Sequence, residues 1–194
     1  MNILLDMDGV LSQFVDASCR FFGTTEEELI KKWPPKEYNI ETVLNVTETE
    51  LWGKINGAGQ KFWSEMPEYT WAKSLYEECK KYGEVYFLTS PSSEPCSLAG
   101  KLEWIYRFTG DHKARNFLIG SPKFLCANID HVLIDDSDKN CTAFAMNGGN
   151  IILFPQPWNS NYEEEDKIGY TFAKLEKIGN NPRPLSSLAV ESSI

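Results

Sequence analysis

Two carboxylates, Asp6 and Asp8, follow the apolar run Asn2-Ile3-Leu4-Leu5 and stand directly before Gly9. A short apolar run that stops at an acid suits a buried parallel strand delivering a carboxylate at its C-terminal edge. Gly9 supplies the backbone freedom needed to turn the chain out of a sheet, so both acids can face one ligand. One carboxylate can then attack phosphorus to give an aspartyl-phosphate, while the second protonates the leaving oxygen and later takes a proton from water. This division makes Asp6 the nucleophile and Asp8 the acid and base. A lone Asp-x-Asp-Gly is more often a turn or a calcium loop. The preceding strand and a later acidic pair, Asp135-Asp136, favour the catalytic reading.

Two carboxylates and a phosphate repel one another unless a hard cation lies between them. Magnesium suits such a place, taking carboxylates, a backbone carbonyl, waters and phosphate oxygens. Asp136, with Asp135 beside it, is the natural further contributor, which gives Asp6, Asp8, Asp135 and Asp136 as the metal set. Thr89-Ser90 ends a second apolar run, where a hydroxyl and backbone N–H groups can bind phosphoryl oxygens. An ordinary helix cap is the plain alternative there. A lysine is still required to neutralise the intermediate, and Lys101 and Lys123 both stand open for it. His112 and His131 are the only histidines, and neither sits in a nucleophile-and-base setting, so Ser-His-Asp and Cys-His catalysis gain no support.

The elements that must position these groups follow from the apolar pattern. Strands are expected at 2–5, 84–88, 116–119, 131–134 and 150–154, with helices at 14–22, from 26, at 71–82 and at 101–108. This alternation defines an α/β fold, a Rossmann-like parallel sheet in which ligands gather beyond the carboxyl ends of the strands. The stretch up to Pro67 is rich in Trp, Glu, Asn and Gly and reads as helical, as at 48–55, without a strand. The expected organisation is a catalytic core of residues 1–14 and 68–194, with a small helical cap, residues 15–67, inserted after the first strand. The run Glu163-Glu164-Glu165-Asp166 reads as a solvated loop or helix start, and 180–194, rich in Pro and Ser, as a loosely held tail.

A chain of 194 residues with 42% hydrophobic content can bury one core and an insertion, and is short for two independent domains. Its formal net charge of −9 argues against a nucleic-acid polymer as partner, but a small anion held by a few local cations fits. Five cysteines without Cys-x-x-Cys spacing suggest free thiols rather than a disulfide framework or a zinc site. No leader-like segment and no apolar run of membrane-spanning length is visible, so a soluble cytoplasmic protein without membrane association is the expectation.

Taken together, Asp6-Met7-Asp8-Gly9-Val10-Leu11, the strand end Leu88-Thr89-Ser90-Pro91, an intervening lysine and Ile134-Asp135-Asp136 resemble the haloacid dehalogenase superfamily. Within it, these motifs and Lys101 followed by Trp104 are similar to the 5'(3')-deoxyribonucleotidases, over about residues 2–154. The resemblance implies hydrolysis of nucleoside monophosphates, with Mg2+ held by Asp6, the Asp8 carbonyl and Asp136. It implies that Phe14 lines the substrate pocket beside the sugar and base. Trp33, Tyr38, Trp52 and Trp63 lie in the expected cap, where aromatic side chains can stack on a base, although each is more often core. Family members are often dimers, so a homodimer is one arrangement it implies. The chain departs from the family at Ser137, where an arginine often follows the paired aspartates, and in a longer spacing from Lys123 to Asp135. Another small phosphate ester such as a sugar phosphate would need the same core. Removal of 3'-phosphate from a nucleic-acid end is disfavoured by the acidity, and a non-catalytic nucleotide-binding module by the intact Asp8.

Overall fold

The computed structural model describes residues 1–180; the expected tail lies almost wholly outside the described residues. Five parallel strands form one sheet: β1 (Asn2–Leu5), β2 (Glu84–Thr89), β3 (Phe117–Ile119), β4 (His131–Asp135) and β5 (Asn150–Leu153). Their order is β3-β2-β1-β4-β5, so the sequence alternation reads out as an α/β sheet with β1 at its centre. Leu5 pairs with Phe87 on one side and Ile134 on the other. The three polar strand ends therefore emerge next to one another on a single edge.

Strand alternation divides the sheet into two faces. Ile3, Leu5, Val85, Phe87, Val132 and Ile134 enter the main core, whereas Leu4, Leu88 and Leu133 form a smaller cluster with Phe144. Helices α6 (Ala72–Lys80) and α9 (Lys167–Asn180) reach the main core through Leu75, Cys79 and Leu175. Helix α8 (Asp138–Met146) supplies Phe144 to the other face. The acidic run lies in the turns before α9, where Asp166 accepts the Gly169 N–H at 2.9 Å and caps the helix.

Helix α1 spans Phe14–Cys19 and continues as a 3-10 turn to Phe22. Helices α2 (Glu26–Ile30), α3 (Ile40–Leu44), α4 (Glu48–Ala58) and α5 (Gln60–Ser64) follow without a strand between them. Capping boxes Thr25/Glu28 and Thr47/Glu50 start α2 and α4, each satisfying otherwise unpaired helix N–H groups. The sequence reading ended α4 three residues early and did not include α3.

A larger correction concerns α7, which spans Pro95–Thr109 rather than starting at Lys101. Ser92, Ser93 and Glu94 read as a loop, but Pro95 at the first helical turn is preorganised for helix. Lys101 is consequently well inside the helix and fully buried. Helix α5 sits on α7 at Gly100, whose missing Cβ would lie 2.5 Å from the Trp63 Cβ and 2.6 Å from the Gln60 carbonyl oxygen.

No helix among the described residues is long and apolar enough to cross a membrane. All five cysteines are free, as their spacing suggested. Gly100→Ala should lower unfolding stability by about 1–3 kcal/mol, because neither the Gln60 carbonyl nor the Trp63 Cβ can easily retreat. Urea denaturation measures it; a stabilised variant, as helix propensity alone would give, contradicts this packing.

Candidate active site

The site forms where the ends of β1, β2 and β4 meet, and its centre is a buried ion cluster. Asp6, Asp135 and Asp136 each offer an oxygen, and these atoms all lie within 4.8 Å of one another. All three residues are buried. The Lys123 ammonium lies 2.7 Å from Asp6 Oδ1 and 2.6 Å from Asp135 Oδ2. Burial works against that ammonium, but the two carboxylates outweigh it and raise its pKa.

The acids do not divide the space equally. Asp135 spends both oxygens on protein donors: Lys123, the Ser137 N–H at 2.9 Å and the Asn140 amide at 3.1 and 3.2 Å. Asp6 Oδ1 accepts from the Met7 N–H at 2.8 Å and from Lys123, which leaves Oδ2 without a hydrogen-bond partner among the described residues. Asp136 accepts one side-chain hydrogen bond, from Trp158 Nε1 at 2.6 Å. Asp6 and Asp136 thus keep free lone pairs for a ligand, and a divalent cation suits such hard oxygen donors.

Desolvation pushes the Asp6 carboxyl up to about 7, with the Asp135 and Asp8 charges adding and Lys123 opposing. Asp136 lies well above the usual carboxylate range, again through burial and then the charges of Asp135 and Asp6. Gly9 is needed beside them. It takes φ of 76°, and a Cβ there would stand 2.2 Å from Asp136 Oδ2.

Asp8 lies beside this cluster, accepting from Ser12 Oγ at 3.0 Å and paired through Oδ2 with the Lys101 ammonium. Lys101 also donates to Thr89 Oγ1 at 2.8 Å. Both lysines left open by the sequence therefore reach the site, Lys123 against Asp6 and Lys101 against Asp8. Thr89 is fully buried with its hydroxyl engaged, so Ser90, Pro91 and Ser92 are what this strand end presents to the cavity.

That cavity has a volume of about 390 Å³, inside the roughly 300–1,000 Å³ range of small-molecule sites. Asp6, Asp8, Lys123 and Asp136 stand at one end, and Phe14, Trp33, Tyr38, Trp52 and Trp63 line it as well. Phe14 is held among Trp52, Phe62 and Trp63, with ring centroids 6.3, 5.7 and 5.9 Å away. Tyr38 is exposed. Trp33 is buried, packs on Trp158 at 5.2 Å and donates Nε1–H to the Glu37 carbonyl at 2.7 Å.

Sequence reasoning missed Ser12, Asn140, Gln156, Trp158 and Asn159. Gln156 donates to the Gly9 carbonyl, and Asn159 Nδ2 donates to the Asp136 and Phe154 carbonyls at 2.8 Å each. The one local signal was Pro157-Trp158-Asn159 directly after the last apolar strand, on the same sheet edge. Ser137, standing where an arginine was expected, caps α8 by accepting the Asn140 N–H at 3.4 Å. His131 is structural, bonded to Asn2 and to the Cys126 carbonyl.

Paired acids after β1, hydroxyls at the end of β2, buried lysines and paired acids at the end of β4 thus converge on one edge of a parallel sheet. The chain is similar to the 5'(3')-deoxyribonucleotidases of Bacillus subtilis (strain 168) and Bacillus phage SPbeta, at 27% identity over 172 residues in each case. These alignments cover 82% of this chain and 87% of each relative. A solved dehalogenase structure matches in fold with TM-score 0.50 at 13% identity, over 84% of this chain and 88% of that one. No family model matches the chain.

The raised Asp6 pKa sets a pH dependence. An unfolded aspartate ionises near ~4, whereas Asp6 in the cation-free fold keeps its proton up to about 7. Folding therefore takes up a proton between those values, and cation-free stability declines across that window as pH rises. A divalent cation held by the same carboxylates would take the place of that proton. Added Mg2+ should accordingly raise the melting temperature more at about pH 8 than at about pH 5. Equal rises at both pH values would contradict the shared site.

Proposed function

We propose that the protein is a Mg2+-dependent phosphatase of nucleoside monophosphates, acting as a 5'(3')-deoxyribonucleotidase through an aspartyl-phosphate on Asp6. The observation that carries this reading is the closed ion cluster of Asp6, Lys123, Asp135 and Asp136 at the end of an aromatic-lined cavity. The two deoxyribonucleotidase relatives support the substrate class.

Asp6 attacks phosphorus, with Lys123 fixing one carboxylate oxygen and offsetting charge as the phosphoryl group arrives. Asp8 protonates the leaving oxygen of the nucleoside and then, as the carboxylate, deprotonates the water that cleaves the acyl-phosphate. Thr89 positions Lys101, which pairs with the Asp8 carboxylate once that acid has given up its proton, while Ser90 and the following backbone hold phosphoryl oxygens. Mg2+ would be held by Asp6, the Asp8 carbonyl and Asp136, where it supplies charge neutralisation to the bound phosphate. Asp135, with both oxygens engaged, orients Lys123. Residues 15–67 act as a cap over the core of 1–14 and 68–194, excluding bulk water, and Phe14 and Trp52 pack on base and deoxyribose.

Phosphate release from deoxy- and ribonucleoside monophosphates and sugar phosphates, with Mg2+ and with excess chelator, tests the proposal. Metal-dependent release favouring deoxyribonucleotides is expected; release from sugar phosphates alone would keep the Asp6 chemistry and overturn the substrate class. Asp6→Asn should abolish turnover, and Asp8→Asn should slow it and let labelled phosphoenzyme accumulate. Wild-type rates in Asp6→Asn would exclude the mechanism. Phe14→Ala should raise KM several-fold with kcat little changed, because it removes binding surface remote from the reacting bond.

A further inference from the structure

Residues 154–161 form a clamp across the two loops that carry the acids. Gln156 Nε2 donates to the Gly9 carbonyl, directly after Asp8. Trp158 Nε1 donates to Asp136 Oδ2 at 2.6 Å, and Asn159 Nδ2 holds the Asp136 carbonyl at 2.8 Å. Asn159 is itself locked, its Oδ1 accepting the Gln156 and Asn161 N–H groups at 3.3 and 3.0 Å. The Asp136 carboxylate is thus wedged between the Gly9 backbone and the Trp158 indole. A Cβ on Gly9 would meet both, at 2.2 Å from Asp136 Oδ2 and 3.1 Å from Trp158 Cζ2.

The clamp also faces the helical insertion. Trp33 packs on Trp158 with centroids 5.2 Å apart, and the Lys36 N–H donates to the Pro157 carbonyl at 3.2 Å. Trp33 and Trp158 are 7% and 5% exposed, so neither ring can shift without disturbing the other. We infer that Trp158 is a positioning residue that aims Asp136 at the divalent cation, and that Trp33 transmits the seating of the insertion to metal affinity through it.

The physical reason lies in the donor set. Asp136 has no other side-chain hydrogen-bond donor among the described residues, so its carboxylate rotation is fixed by the indole N–H and by packing alone. A partner that orients a metal-ligating carboxylate in this way changes metal affinity about 10- to 100-fold when removed. Trp33 donates its own N–H to the Glu37 carbonyl and makes no hydrogen bond to an acid. Its ring contact with Trp158 is thus the route to Asp136 that the double variant tests.

The inference rests on the proposed metal site but not on the identity of the substrate. Its test reads Mg2+ binding by calorimetry without any phosphate ester. Trp158→Phe keeps the ring and loses the donor, and should weaken Mg2+ about 10-fold while leaving the cation-free far-UV spectrum unchanged. Trp33→Leu should weaken Mg2+ in the same direction, and the double variant should be no weaker than Trp158→Phe alone. Unchanged affinity in folded Trp158→Phe, or fully additive losses, would overturn the inference. Should a variant fail to fold, the wild-type protein decides. The Trp158 indole N–H resonance, one of six from tryptophan, should move on Mg2+ addition, and a resonance that stays fixed while Mg2+ binds overturns the role. If Mg2+ binds normally but no nucleotide is hydrolysed, the substrate reading fails and this one stands.

Discussion

The Lys123 ammonium sits between Asp6 and Asp135, and the rest of the site depends on that bridge. Removing an ion from water costs several kcal/mol even after relaxation, and three buried carboxylates within 4.8 Å add mutual repulsion. Lys123 offsets part of this and leaves a deficit that a proton or a cation must meet. The raised carboxyls of Asp6 and Asp136 express that deficit in the cation-free protein. The same imbalance that costs stability makes the cluster a receptor for positive charge.

The sheet ladder is what holds the cluster in place. Asp6 continues the ladder by donating its N–H to the Ile134 carbonyl at 2.9 Å, and the Phe154 N–H bonds the Asp135 carbonyl at 2.9 Å. Register between β1 and β4 therefore fixes the distance between Asp6 and the acidic pair, and a slip by one residue would turn Asp6 and Asp135 to opposite faces. Adjacent acids on one strand end take different work for the same reason. Asp135 turns towards Lys123 and Asn140, while Asp136 turns towards Gly9 and Trp158.

What could be read from the sequence follows the range of the interactions. The carboxylates at 6, 8, 135 and 136 were legible because each directly follows an apolar strand, and the strand edge is a local property. The two lysines could be named but not placed, since Lys101 meets Asp8 across 93 residues and Lys123 meets Asp6 across the width of β1 and β4. The start of α7 was hidden because its first turns bury only Ser97 and Gly100, which carry no apolar helical period. Trp158 carried only the weak signal of its place past the last strand, because a tryptophan there is ordinary core by composition. Only its 2.6 Å bond to Asp136, 22 residues away, separates it from its neighbours.

The aromatic side of the pocket and the catalytic side share one scaffold residue, Trp63. Its Cβ seats α5 against Gly100 on α7, its ring stacks on Phe14 at 5.9 Å, and the Lys101 ammonium lies 5.1 Å from its centroid. A cation over an indole face is attracted by the ring's quadrupole, so Trp63 contributes to holding the lysine that pairs with Asp8. The helices between β1 and β2 are thereby anchored twice, at Trp63 on α7 and at Trp33 on Trp158, and all three tryptophans line the cavity. A wall fixed at both ends costs little ordering when ligand binds, so affinity for an aromatic ligand is preorganised. Rotation of Phe14 to suit a different ligand would disturb three rings at once and, through Trp63, the Lys101–Asp8 pair. The ring packing around Phe14 and the Lys101–Asp8 pair are consequently coupled through Trp63.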